Sequence, residues 1–387
     1  MKKKGTVIFV VMFLAMLVGN YFQYQLSPIA GRVMESLNLS PTQFSSVFSA
    51  PMIPAIVLSI VAGILSDRFG IKKVCGVAVA IATVGLCYRP FASGYETFFA
   101  AMILAGVGTT FLNVNVAKIM GRYYAAEKTG TMVGMVMMGS TFGMTLGTAT
   151  TAAFPSVKTA LLVAAAGEVV ILVLWFLLMD GDRVNTETGS EQQTISLADS
   201  ISAVLKCRYI WVLGLCMMCI LGCNTAMGSF VPMALQSRGV SEAAAGLVIT
   251  GMMVGNLIGT FTGPRLIAAS KNKKAVIIIL GTLSAVTAAS SWMLPTFAAF
   301  LGLMACGFGM GSLLPVFMAM PMQLKEIGPA YAGTAGGVTS TLELLGAVII
   351  PTYIITPIAG ANYTLYFLLA GACMAIMAGC SLFLPND

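Results

Sequence analysis

The stretch from Ile53 to Tyr88, IPAIVLSIVAGILSDRFGIKKVCGVAVAIATVGLCY, decides what kind of fold this chain can adopt. Two apolar runs flank a short charged turn that carries Asp67, Arg68, Lys72 and Lys73. Extended to 43–65 and 72–91, each run is about twenty residues long, the length a helix needs to cross roughly 30 Å of hydrocarbon. Lipid offers no partner to a backbone N–H, so a crossing segment must close its hydrogen bonds within itself, as a helix does. The stretch reads as a hairpin of two membrane-crossing helices.

Outward from this hairpin the same pattern fills the 387 residues. Spans are expected near 6–30, 43–65, 72–91, 97–118, 130–153, 159–179, 209–231, 243–266, 275–294, 296–320, 332–356 and 363–384. The chain is 58% hydrophobic and 9% charged, with a mean hydropathy of +0.92; a soluble domain carries roughly 25% charged residues. The beginning, Met1-Lys2-Lys3-Lys4 before an apolar run, has the look of a signal peptide. No small-residue cleavage site follows cleanly, so it reads as an uncleaved first span.

The net charge of +7 does not point to nucleic acid, because the basic residues form short clusters between apolar runs rather than a stripe with interleaved aromatics. They report orientation instead. With the N-terminus inside, only Arg32, Arg89, Lys158 and Arg238 of the 21 Lys and Arg fall outside. That bias predicts cytoplasmic N- and C-termini in a plasma or bacterial inner membrane. Asp180 to Arg208 is the one long polar stretch, which predicts domains at 1–179 and 209–387 joined by a cytoplasmic linker, 180–208, whose end (Leu197–Leu205) suits a short amphipathic helix.

The halves repeat. Gly106-Val107-Gly108 recurs as Gly307-Phe308-Gly309 and Leu39-Ser40 as Val240-Ser241, both at an offset of 201, and the Gly130–Gly134 string recurs at Gly333–Gly337. The expectation is an all-α polytopic membrane protein of twelve transmembrane helices in two pseudo-symmetric six-helix bundles, with a substrate site between the halves near the bilayer midplane.

Gly63-Ile64-Leu65-Ser66-Asp67-Arg68-Phe69-Gly70-Ile71-Lys72-Lys73 resembles the loop between spans two and three of the major facilitator superfamily. The basic residues serve topology, but acids do little for orientation, so Asp67 needs another role. The resemblance implies a cytoplasmic gate of Gly63, Asp67 and Arg68, with Asp67 facing the N-terminus of span eleven near Ala332, where a carboxylate meets the positive end of a helix dipole. The second-half string, Gly259–Arg265, keeps glycine and basic residues but lacks the acid. Gly121–Gly130, GRYYAAEKTG, resembles a loop of the anion-transporting branches (nitrate/nitrite, cyanate, oxalate–formate, organic anion:cation symporters). Two departures stand out: Met102 occupies a place where many proton-coupled members carry Arg, and Thr148 the proline place of the drug:proton antiporter signature. The Gly139/Gly143/Gly147 series still forms a close-packing face.

Two acids, Glu168 and Glu343, fall near span centres, where an ionised carboxylate costs at least about 2.5–3.5 kcal/mol. In the family span eleven helps line the cavity, so Glu343 is the coupling candidate, and span six is peripheral, so Glu168 reads as structural. The family path along spans one, four, seven and ten implies substrate contacts from Asn20, Tyr21, Gln23, Tyr24, Asn113, Asn115 and Asn224, with Arg32 reaching inward. Amides and phenols can donate to an oxyanion without the cost of a full charge. No Lys or Arg lies at a span centre, which weakens a dianion. Cys216, Cys219 and Cys223 share one helical face, and without His or a nearby carboxylate they read as packing residues rather than a metal site.

With no G-x-x-x-x-G-K-[ST] loop to hold ATP and no nucleophile–base pair, the expected function is not enzymatic. It is secondary active transport of a small organic solute, in the monocarboxylate class, by alternating access with proton symport or exchange. Competing readings are a multidrug or organic-cation exporter anchored on Glu343, and a non-transporting membrane sensor. The expected partners are the substrate, protons and lipid, with no cofactor, metal or nucleic acid and a monomeric state.

Overall fold

The computed structural model of the protein describes residues 2–179, 197–324 and 326–385. Twelve helices among them are long and apolar enough to cross a membrane: α1 (Lys4–Tyr24), α2 (Pro41–Phe69), α3 (Ile71–Phe91), α4 (Tyr95–Tyr123), α5 (Lys128–Ala153), α6 (Val157–Leu178), α7 (Arg208–Gln236), α8 (Glu242–Ala269), α9 (Lys273–Met293), α10 (Thr296–Gln323), α11 (Thr334–Ala359) and α12 (Tyr363–Phe383). No strand occurs among the described residues. The all-helical, twelve-span fold is as the sequence predicts. The amphipathic helix expected before α7 is present at Leu197–Lys206. The rest of the linker, 180–196, lies outside the described residues.

Span one departs from the expectation. It ends at Tyr24 rather than near residue 30, and after a turn the chain resumes as a short helix, Ala30–Leu37. The reason is local. Leu26 N bonds Gln23 O and Ser27 N bonds Tyr24 O, both at 3.2 Å, so the last turn tightens to i→i−3 bonding. Pro28 then disfavours a helical residue before it and supplies no N–H of its own. Span two starts earlier than expected, at Pro41, because Ser40 and Gln43 form a reciprocal capping box at 2.9 and 3.2 Å. Between α2 and α3 only Gly70 intervenes, at φ 90°, a conformation that a Cβ would strain. In α11 the helix widens to a π turn over Ile350–Ile355. Pro351 sits at its start and cannot donate an N–H, and Thr356 Oγ1 bonds Pro351 O at 2.6 Å.

The chain divides into two compact units. The first takes the helices ahead of the linker together with Ser229–Thr250, the distal end of α7 and the start of α8. That hairpin is tied to its own unit by polar contacts: Gln236 Nε2 donates to Pro28 O at 2.7 Å, Arg32 pairs with Glu242 at 2.8 Å, and the Thr148 and Thr250 hydroxyls meet at 2.8 Å. The Phe44 and Phe230 rings pack edge-on. Inside the unit, α5 lies against α1 through Gly139, Gly143 and Gly147. A Cβ at any of the three would press on the backbone around Phe13, Leu17 or Tyr21, so glycine is required where the backbones meet. Trp175 of α6 donates from its ring nitrogen to Lys72 O at 3.0 Å, pinning the start of α3.

The second unit takes the rest of the chain and uses the same device in other places. Gly214 and Gly222 of α7 receive Leu342 and Ile350 of α11, and Gly346 of α11 rests on Met218 O. Between α8 and α10 the pairs Gly255/Gly259 and Gly307/Gly311 allow equally close backbones. Ser284 of α9 donates to Cys306 O at 3.0 Å. Cys216, Cys219 and Cys223 are buried in this packing.

Candidate functional site

The residues singled out on α1 separate into two sets. Asn20 and Tyr21 are half-buried, and the Asn20 amide donates to Met16 O at 3.0 Å, one turn back, leaving its carbonyl oxygen for another donor. Gln23 and Tyr24 are buried. Gln23 donates to Phe48 O at 2.8 Å and Tyr24 stacks edge-on against Phe48, so both hold α1 to α2. On α4 the same split recurs. Asn113 is exposed in mid-span. Asn115 is fully buried and donates to Ser66 Oγ and Phe111 O, each at 2.9 Å. Asn224 of α7 is buried beside Met310 Sδ at 4.0 Å.

Arg32 is engaged at the end of its unit. Besides the Glu242 pair, its Nη1 donates to Phe154 O at 3.1 Å. Asp67, in the last turn of α2, is exposed and pairs with Lys118 of α4 at 2.6 Å. Arg68 lies over the Phe69 ring, 5.2 Å from its centroid, and Gly63 faces Val114. Gly63, Asp67 and Arg68, expected from the sequence as a gate, thus sit at one end of the first unit, with the acid's charge offset by Lys118 of α4.

Arg89 is the residue to which sequence reasoning gave no role in the site. Its position in the chain puts it at the outer end of span three, yet its side chain is only 1% exposed. The guanidinium turns back into the unit. Nη1 donates to Phe22 O at 2.8 Å and touches Met102 Sδ at 3.4 Å, and the group lies over the Phe22 ring at 5.6 Å. The Gln25 amide is oriented by its neighbours. Its carbonyl accepts from Arg89 Nη2, and its NH2 donates to Ala160 O of α6 at 3.0 Å. Phe22 O is free to accept because the break after Tyr24 sends the Leu26 N–H to Gln23 O. A cation therefore closes the C-terminal end of α1, where the helix dipole is negative. The guanidinium also occupies the surroundings of Met102.

Among the described residues no carboxylate pairs with Arg89, and its Nε is buried without a hydrogen-bond partner. Tyr21 is its electrostatic neighbour. Glu168, buried on α6, stands eight residues beyond Ala160, about 12 Å along the helix axis. The sequence held one signal for a change at this point: Arg89-Pro90 directly after an apolar run, where the helix tightens to a 3-10 turn over Arg89–Phe91.

In the second unit Glu343 is half-buried on α11, one position past Leu342, which packs on Gly214, and three before Gly346, which packs on Met218. No ion pair to it occurs among the described residues. The π turn begins seven residues later. The remaining prominent feature of the first unit is an aromatic row, Phe9–Phe13–Phe142, with ring centroids 6.3 and 6.0 Å apart.

Comparison with known proteins fits this architecture. The chain is 25% identical over 348 residues to the nitrite extrusion protein of Bacillus subtilis (strain 168), covering 87% of this chain and 84% of that protein. It is 23% identical over 326 residues to the 3-(3-hydroxy-phenyl)propionate transporter of Escherichia coli (strain K12), covering 81% and 79%. Among solved structures, the D-xylose-proton symporter superposes with a TM-score of 0.74 at 16% identity, covering 98% of each chain. At that identity the likeness speaks for the fold alone. Residues 8–351 match the sequence profile of the Major Facilitator Superfamily, and the chain therefore belongs to that superfamily of multi-pass membrane transporters.

Proposed function

We propose that the protein is a secondary active transporter for a small organic monoanion of the monocarboxylate class, working by alternating access with proton symport or exchange. The observation that carries the reading is Arg89. It is a buried cation with no carboxylate partner among the described residues, and its electrostatic neighbour is the half-buried Tyr21 of α1, which follows the half-buried Asn20 in the chain. An ion buried without a counter-charge is costly, and an anion bound nearby offsets that cost. Asn20, Tyr21 and Asn113 supply neutral polar atoms to fix its orientation, whereas a dianion lacks a second cation. Two relatives are named for anions, nitrite and a substituted propionate, which agrees with the sign. Glu343 is the proton carrier in this reading, and Asp67 with Gly63 and Arg68 forms a gate on the cytoplasmic side, where both termini lie. The transporter acts as a monomer.

Uptake of a labelled monocarboxylate into proteoliposomes tests the proposal. An inside-alkaline gradient is expected to stimulate uptake, and Glu343→Gln to abolish the stimulation. Gradient-independent leakage equal to that of empty vesicles overturns it. Glu343, half-buried and without an ion pair among the described residues, favours a second reading, export of a hydrophobic cation anchored on it. Efflux of a lipophilic cation that disappears in Glu343→Gln, with no anion uptake, selects that reading.

A further inference from the structure

Each unit carries an apolar groove that no transport role requires. In the first, a groove of about 370 Å³ runs between α2, α3 and α4, lined by Leu65, Val77, Ile81, Val107 and Phe111 and closed at one end by Phe69 and Lys73. Lys73 is the one charged residue on its wall. In the second unit a groove of about 260 Å³ runs between α8, α9 and α10 and the end of α12, bounded by Ile267, Ile277 and Val316, with Lys273 and Lys274 on its wall. The two lysine pairs, Lys72-Lys73 and Lys273-Lys274, stand 201 residues apart, the offset of the internal repeat. Only the lysines correspond, Lys274 on the second wall being the repeat counterpart of Lys73 on the first; the other lining residues differ, so the two grooves are separate features of their units.

The lysines sit where a helix alone does not favour them. Both pairs occupy the first turn of their helix, α3 and α9, and neither turn contains an acid. A cation at a helix N-terminus opposes the dipole, whereas an anion there is stabilised by it. At the first groove Arg68 adds a third cation over the Phe69 ring, and the nearby Asp67 is already paired with Lys118. At the second, Lys274 donates to Leu382 O at 3.0 Å, and Lys273 beside it is exposed. The first slot is apolar along its length and the second mainly so, with Gln323 and Ser381 on its wall; both carry lysine and lie on helices long and apolar enough to cross a membrane.

We infer that each groove is a binding site for an anionic phospholipid: one acyl chain lies in the slot, and the phosphate is held by Lys73 in the first unit and by Lys273 in the second. Charge complementarity selects the headgroup, and the apolar walls select a lipid over a free anion. The inference is independent of the transported substrate.

The test uses the full-length protein in phosphatidylcholine vesicles with a trace of chain-spin-labelled phosphatidylglycerol or phosphatidylcholine, and reads the motionally restricted fraction by electron paramagnetic resonance. The restricted fraction is expected to be about twofold larger for phosphatidylglycerol at low salt, and the excess to shrink as salt screens the headgroup. Lys73→Gln with Lys273→Gln removes most of the excess, and the two Arg counterparts retain it. Val77→Trp, which fills the first slot without changing charge, lowers the restricted fraction of both lipids, so the proposal does not depend on the lysine variants folding. Equal retention of the two lipids by the wild type overturns the site. So does an excess that survives the double Gln change, or one that millimolar inorganic phosphate abolishes at constant ionic strength.

Discussion

In the first unit a cation, Arg89, is buried, as is the acid Glu168 on α6. Arg89 closes the broken end of α1 and binds Phe22 O and Gln25. In the second unit the mid-span charge is an acid, Glu343, half-buried beside the glycine contacts of α7 and α11, and the deep interior is lined with thiols at Cys216, Cys223 and Cys306. The packing device is shared: glycines on α5 meet α1 in one unit, and Gly346 on α11 meets α7 in the other. The close approach recurs at repeat-related positions, Gly143 and Gly346, whereas the positions matching Arg89 and Glu343 in the other half hold serines, Ser290 and Ser140. Close backbone contact constrains every position along a seam, whereas a single charged residue can be present in one half and absent from the other if its surroundings change with it.

The largest expected effect separates the two charges. Arg89→Met leaves Phe22 O and the Gln25 carbonyl without their donor, at about 1–3 kcal/mol for each buried acceptor. The thermal midpoint in detergent should fall clearly and anion uptake should be lost. Arg89→Lys, which keeps the cation but not the fork, should recover part of both. Full stability in Arg89→Met would show that the α1 break holds itself.

The shared packing comes next. Gly143→Val and Gly346→Val each push a side chain into backbone and should each cost about 1–3 kcal/mol, read as a lower thermal midpoint. A silent Gly346→Val would mean that the close contact matters in one unit only.

A smaller effect on stability, but a decisive one for coupling, is expected at the acids. Glu343→Gln should stay within about 0.5 kcal/mol of the wild type, since it is half-buried and unpaired among the described residues, and should lose stimulation of uptake by a pH gradient. Glu168→Gln should keep that stimulation. The reverse result moves coupling into the first unit. The smallest effects distinguish neighbours on α4. Asn115→Ala should cost about 1 kcal/mol through its bonds to Ser66 and Phe111 with KM unchanged, and Asn113→Ala should raise KM with stability unchanged.

The sequence by itself determined the twelve spans, the all-helical class and the glycine seam of α5, because lipid forces each crossing segment into a long apolar helix whose length and composition are local properties. It also carried the membership of the superfamily, through the Gly63–Lys73 string. The tertiary structure alone decided the direction of the polar side chains. Asn113 and Asn115 are two residues apart, and one is exposed while the other is buried on Ser66. Arg89 lies at a span end in sequence, yet turns inward to an acceptor that exists only because α1 breaks after Tyr24. The grouping of Ser229–Thr250 with the first unit was equally hidden behind a linker that marks the boundary elsewhere. Hydropathy fixes where a helix lies relative to lipid. Its rotation about its own axis, and hence which side chain finds which partner, is set by contacts between segments remote in sequence.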